Sequence, residues 1–354
     1  MTRSFGVERL PEAHRDGSIL PMTIRLRAHA MEHPTLVLTG WAALHVLGLP
    51  AFCNDMPVEV VSRTNKRASS VRAVQHVKYD GAVPLADQTL FDSAHFELPG
   101  DVQAVCAEEA LVRCLISVLK GRNAWKLPGM PDLCGACRLS AHEIRAVQLI
   151  DAVRRHIPLD SGVIAERARG RVSRRRLNRL WALSVQNADS PPETVLRLLV
   201  RDLLPDVAPQ VPVYETVAGR AEPFAPASAL PFSSADCSAG IPDDSAGILD
   251  DFSLDDATFS QLTESEELPM SSGGQARPWR SKILTRIDLA SRKYWLALFY
   301  DGSHHNDPAQ REHDAMVDRV LQARGATVLR FTASSMRDPF MVRRHVQQVI
   351  ARAR

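Results

Sequence analysis

The chain has 354 residues, 45% of them hydrophobic, with 43 Lys+Arg against 41 Asp+Glu. A net charge of +2 excludes a protein that coats nucleic acid by bulk charge, and six Cys in so long a chain exclude a disulfide-built mini-domain. The length suits about two domains, each burying its own core.

Two asymmetries lie beneath the balance. Only six of the 43 basic residues are Lys and 37 are Arg, whose planar fork suits phosphate and carboxylate. A GC-rich coding bias explains most of that excess equally well. Secondly, no Lys or Arg occurs between Arg220 and Arg277. The segment MTRSFGVERLPEAHRDG is polar and lacks the apolar stretch of a leader. No uncharged apolar run approaches about 18 residues, the length of a membrane span. The expectation is a cytoplasmic protein with reduced thiols and no membrane partner.

Residues 1–20 read as a flexible N-terminus, and 18–80 as a small α/β unit. Within TLVLTGWAALHVLGLP (35–50), apolar residues fall at helical spacing after Thr39, an N-cap candidate. PVEVVS (57–62) and VRAVQHV (71–77) read as strands. Residues 101–120 carry one apolar helical stripe. A Gly- and Pro-rich loop (121–136) precedes a helix at 140–156, with Ser140 and Glu143 set for a capping box. Residues 160–182 read as another helical stretch. SPPETVLRLLVRDLLP (190–205) is a helix with full punctuation: Ser190 as cap, Pro191 and Pro192 opening it, Glu193 at its positive end and Pro205 stopping it.

From there the pattern changes. Strands are predicted at 211–217, 282–290, 294–302 and 327–331, and helices at 309–325 and 337–354. The order α-β-β-β-α-β-α, interrupted by a Ser/Ala/Pro/Asp-rich insert at 218–280, describes an α/β layer fold with a small mixed sheet. At the strand ends lie Asp288, then Asp301-Gly302 followed by His304 and His305. With Glu193, these carboxylates are candidates for a hard-cation site such as Mg²⁺. Asp301-Gly302 also reads as a simple turn, and Asp288 as an edge-strand charge.

The blocks SPPETVLR, RIDLA and LALFYDGSHHNDPAQREHDAMVDRVLQARGATVLRF resemble the C-terminal domain of a bacterial family related to very-short-patch repair endonucleases, of the PD-(D/E)xK nuclease fold. The match covers 190–354 apart from the insert. It implies that Glu193 is the family's helix glutamate, Asp288 its first strand aspartate, Asp301-Gly302 its D-G pair, and His304 or His305 its histidine. Asp314 falls on the helix aspartate and Arg330 on the strand arginine. Three positions depart. Phe299 replaces a glutamate, Val317 an arginine and Ala326 a tryptophan. Alternation puts 299 and 301 on one strand face, so a ring stands where the family has a ligating carboxylate.

VLTGWAALHVLGLP followed by PVEVV resembles a module of AbiEi-type antitoxin regulators, spanning about 20–180. The winged helix usual there has no counterpart, because residues 1–20 are too few to form one. Between 167 and 179 lie seven Arg. Arg174, Arg175, Arg176 and Arg179, with Arg330, are candidate phosphate contacts on double-stranded DNA, or else a solvated face. Cys134-Gly-Ala-Cys137 is a lone CxxC, read as reduced thiols rather than as a zinc site. The insert reads as disordered and acidic, either inert or a docking segment for a protein partner.

Two functions follow. One is a metal-dependent DNA endonuclease, with Mg²⁺ on Asp288, Asp301 and Glu193 and a proton moved by His304 or His305. The other is a non-catalytic DNA-binding or toxin–antitoxin-type regulatory protein that keeps the scaffold. The charge arithmetic favours DNA in both. Residues 221–276 hold eleven Asp/Glu, and without them the remaining chain carries +13 rather than +2.

Overall fold

The computed structural model describes residues 20–49, 53–62, 74–79, 81–87, 98–214, 283–302 and 308–353. His304, His305, nearly all of the N-terminal 1–20 segment and the 218–280 insert lie outside them. The chain divides into two compact units, Met1–Val213 with Leu284–Arg354, and Tyr214–Ile283. Of the second unit only the two end residues are described. The first unit holds all the other described residues.

The protein is mixed α/β. Helix α1 (Met22–Glu32) leads into β1 (Thr35–Thr39), α2 (Gly40–Val46), β2 (Val58–Val61), β3 (Val74–Val77) and β4 (Asp101–Ala104). These strands form one sheet in the order β3-β2-β1-β4, with β1 antiparallel to β2 and parallel to β4. The helix expected after Thr39 forms as α2, preceded by an unexpected strand, and one expectation is corrected: the first four residues of the expected 101–120 helix are strand. Both strands are short and run straight into apolar helices, so a helical stripe masks them.

The β1–α2 junction has a specific cause. Thr39 is no side-chain cap, because its hydroxyl pairs with Tyr79 Oη at 2.7 Å. Instead the carboxylate of Glu59, directly across the ladder from Thr39, accepts the backbone N–H of Trp41. Gly40 sits at φ +53°, and a Cβ there would overlap that carboxylate. Only glycine meets both demands.

A helical layer comes next: α3 (Ala107–Leu119), α4 (Asp132–Cys137), α5 (Ala141–His156), α6 (Ser161–Ala168) and α7 (Arg174–Ala182). The Ser140–Glu143 capping box forms. Two further expectations are corrected. The Gly/Pro loop contains α4, which carries Cys134 and Cys137. The 160–182 stretch is two helices, parted where Gly170 adopts φ +73°.

The last layer is α8 (Pro191–Val200), β5 (Ala208–Tyr214), β6 (Ile283–Ser291), β7 (Leu296–Asp301), α9 (Pro308–Ala323), β8 (Thr327–Thr332) and α10 (Pro339–Arg352). The order matches the expected α-β-β-β-α-β-α. The sheet order is β5-β6-β7-β8, with β6 antiparallel and β8 parallel to β7. A parallel neighbour needs a crossover, and α9 supplies it. Buried strand β7 reads as an apolar run, Leu296 to Phe299, because both its faces are covered.

The expected division near 182–190 is not a gap in packing. One hydrophobic core runs from Met22 to Ile350, with α5 on α8 and α4 on α10. Among the described residues, no helix is long and apolar enough to cross a membrane.

Candidate functional site

The start of α8 is built by local chemistry. Ser190 Oγ accepts the Glu193 N–H at 3.5 Å, and the Glu193 carboxylate folds back over the helix end. Its Oε1 accepts from Ser190 Oγ at 2.8 Å. Its Oε2 accepts from the Asp189 N–H at 3.1 Å and from Gln210 Nε2 at 2.9 Å. Both oxygens of this buried group therefore already have donors. Burial still pushes the carboxyl above its ordinary range, partly offset by these bonds.

Asp288 lies close by on β6. Its Oδ2 accepts the backbone N–H of Tyr300 on β7 at 2.7 Å. Burial first, and then the negative charges of Glu193, Asp189 and Asp301, raise the carboxyl to about 7 against the opposing Tyr300 bond. The three carboxylates expected from sequence are thus gathered at one region of the sheet. Asp189 joins them, though no motif in the sequence marks it. Asp189 also lines a cleft of about 640 Å³ with Trp125, Gln148, Ser190 and Thr194. Gln210 is a second unmarked member. It sits on β5 at φ +52°, and nothing in its local sequence distinguishes it.

Asp301 faces the opposite partner. Parallel pairing of β7 with β8 sets Arg330 across from Phe299. The Arg330 guanidinium lies 4.5 Å from the centre of the Phe299 ring and donates from Nη1 to Asp301 Oδ1 at 2.9 Å. Phe299, Asp301 and Arg330 share one face, as alternation predicts. Nε and Nη2 of Arg330 donate to Asp318 at 2.9–3.2 Å, and Asp314 lies 3.9 Å away. Arg330, expected from the sequence as a DNA contact, is thus engaged within the chain. Its donors are committed to Asp301 and Asp318, and a phosphate would have to displace carboxylates already bound. Asp318, one turn after Asp314 on α9, is the sequence sign of this clamp.

A single Mg²⁺ held jointly by Glu193, Asp288 and Asp301 does not fit this arrangement. The ligand oxygens of Glu193, Asp288 and Asp301 do not all lie within 4.8 Å of one another. Glu193 is saturated by donors, Asp301 is bound by a cation belonging to the chain, and the buried Phe299 offers no oxygen. Hard cations need several oxygens at one point.

The Arg run divides into two classes. Arg171 is tied to the buried Glu109 at 2.7 and 2.9 Å, and Arg179 pairs with Glu143 at 3.3 Å. Both acids come from distant helices, where the local sequence could not reveal them. Arg169, Arg174 and Arg175 stand exposed and form no ion pair with a described acidic residue, while the half-exposed Arg176 helps Arg179 hold the Glu143 carboxyl below its ordinary range. The inner face of α7 is fixed by Leu177 and Leu180, so Arg174, Arg175 and Asn178 point outward. Beside them, the α6–α7 turn frames an open hollow of about 810 Å³ lined by Arg169, Arg171, Ser173 and Arg174. The CxxC pair is on α4. Cys134 Sγ is 3.5 Å from Met130 Sδ, and burial pushes the Cys137 thiol up to about 12.

In comparisons with known proteins, no family model, no curated protein and no solved structure matches the chain.

Proposed function

We propose that this chain is a DNA-binding regulatory protein on a PD-(D/E)xK-type scaffold, and that it binds duplex DNA without cleaving it. The carrying observation is the exposed α6–α7 face, where Arg169, Arg174 and Arg175 stand in solvent and form no ion pair with a described acidic residue. Arginines left uncompensated on one surface suit a polyanion, and releasing counterions from its phosphates drives binding. The scaffold reading is supported by helix α8 followed by three consecutive strands, a crossover helix and a parallel fourth strand. The non-catalytic reading is supported by Arg330, held on Phe299 between Asp301 and Asp318.

One observation favours a second reading, that of a metal-dependent nuclease. Asp288 shares its surroundings with three other carboxylates, a repulsion that a divalent cation would relieve. Incubation with supercoiled plasmid in Mg²⁺ or Mn²⁺ separates the two. Wild type is expected to retard the plasmid without nicking it. Nicking by wild type that Asp288→Ala abolishes would establish the nuclease instead. Nicking acquired only by Phe299→Glu would mark Phe299 as the block.

A further inference from the structure

Apart from the carboxylates, α1 presents a second cluster of ligating side chains. Its last turn reads His29-Ala-Met-Glu32-His33, and residues at i, i+3 and i+4 share a helix face. Among the described residues, these are the only three His, Cys, Asp or Glu side chains whose ligand atoms all lie within 4.8 Å of one another. The His29 and His33 rings stand edge to face, 4.7 Å between centres.

His29 is only 6% exposed, and its Nε2 has no hydrogen-bond partner. A buried polar nitrogen left unpaired costs about 1–3 kcal/mol, so it calls for an explanation.

We propose that His29, Glu32 and His33 form a transition-metal site of the Zn²⁺ class. Two imidazoles and one carboxylate suit a borderline cation, which accepts nitrogen and oxygen together, better than Mg²⁺ or Ca²⁺. Zinc commonly takes such a three-ligand set with a fourth position left to water or a further side chain. An ion bound through Nε2 would satisfy the orphan nitrogen and secure the end of α1. The site is separate from both the carboxylate cluster and the Arg face.

The test is calorimetric titration of Zn²⁺ into the untagged full chain after chelator treatment. The expected result is one ion per chain, with a dissociation constant of roughly 10 μM or lower. His33→Ala, at an exposed position where folding is retained, and Glu32→Gln are each expected to weaken binding by at least about tenfold. Cys134→Ser with Cys137→Ser is expected to leave it unchanged. Absence of a one-to-one isotherm in wild type would overturn the proposal. So would full affinity in folded His33→Ala, or loss of binding in the cysteine variant alone.

Discussion

Replacing Asp151 with alanine is expected to cost about 3–5 kcal/mol of folding stability, the usual loss when one partner of a buried ion pair is removed. Asp151 lies on α5, with 1% of its side chain exposed, and meets Arg197 of α8, 7% exposed, at 2.6 Å. Its other bonds reach the Val185 N–H at 2.7 Å and Thr194 Oγ1 at 2.8 Å. One carboxylate thus fastens α5 to the connecting segment and to the helix that carries Glu193. Burial pushes its carboxyl above the ordinary range although Arg197 opposes it, so desolvation outweighs attraction here. Asp151→Ala leaves a buried guanidinium without a counter-charge. The double variant Asp151→Leu/Arg197→Met removes both charges and is expected to recover most of the loss. Chemical denaturation of wild type, both single variants and the double variant gives the coupling directly. A single variant within about 1 kcal/mol of wild type would refute the claim that α5 and α8 belong to one cooperative body.

Asp288→Asn is expected to have the opposite sign. An unfolded aspartyl carboxyl titrates near 3.8, and the folded one holds its proton to about 7. Between those pH values the folded chain binds more protons than the unfolded chain. The contribution of Asp288 is therefore fully present below about pH 4 and lost as pH rises through about 7. The substituted amide cannot ionise, yet still accepts the Tyr300 N–H. The variant is expected to match wild type near pH 4 and to exceed it at pH 8 by on the order of 1–3 kcal/mol, reduced from the full linkage value because the group is partly exposed. Glu193 and Asp151 are shifted in the same direction, so the difference between the two pH profiles, rather than either alone, isolates residue 288. Parallel profiles would show that the Asp288 carboxyl is not held above its ordinary range.

How much of the fold is legible in the sequence depends on the reach of each signal. Helix α8 is legible because Ser190, the two prolines and Glu193 act within one turn of one another. Strands β6, β7 and β8 are legible from short β-rich runs around a Gly-terminated amphipathic helix. Helix α1 is not, because Pro21 offers no side-chain cap and its polar face carries Arg and His rather than a clean stripe. Strand β1 is hidden because the chain turns at Gly40 to meet the Glu59 carboxylate, which lies on another strand. The site shows the same division. Convergence of Glu193, Asp288 and Asp301 follows from the order of elements. The function of Arg330 does not, because its partners Phe299, Asp301 and Asp318 meet it only through parallel pairing and a crossover helix. Likewise, Glu109 and Glu143 neutralise two arginines from elements far along the chain.

The most direct test of the DNA-binding account is the salt dependence of duplex DNA affinity for wild type and for Arg174→Glu/Arg175→Glu. Each phosphate contact contributes roughly 0.9 to the slope of log affinity against log salt. The account predicts a steep slope for wild type. In the variant it predicts a slope smaller by about 2, with affinity lowered alike on unrelated DNA sequences. Equal affinity and equal slope in the two proteins would contradict it.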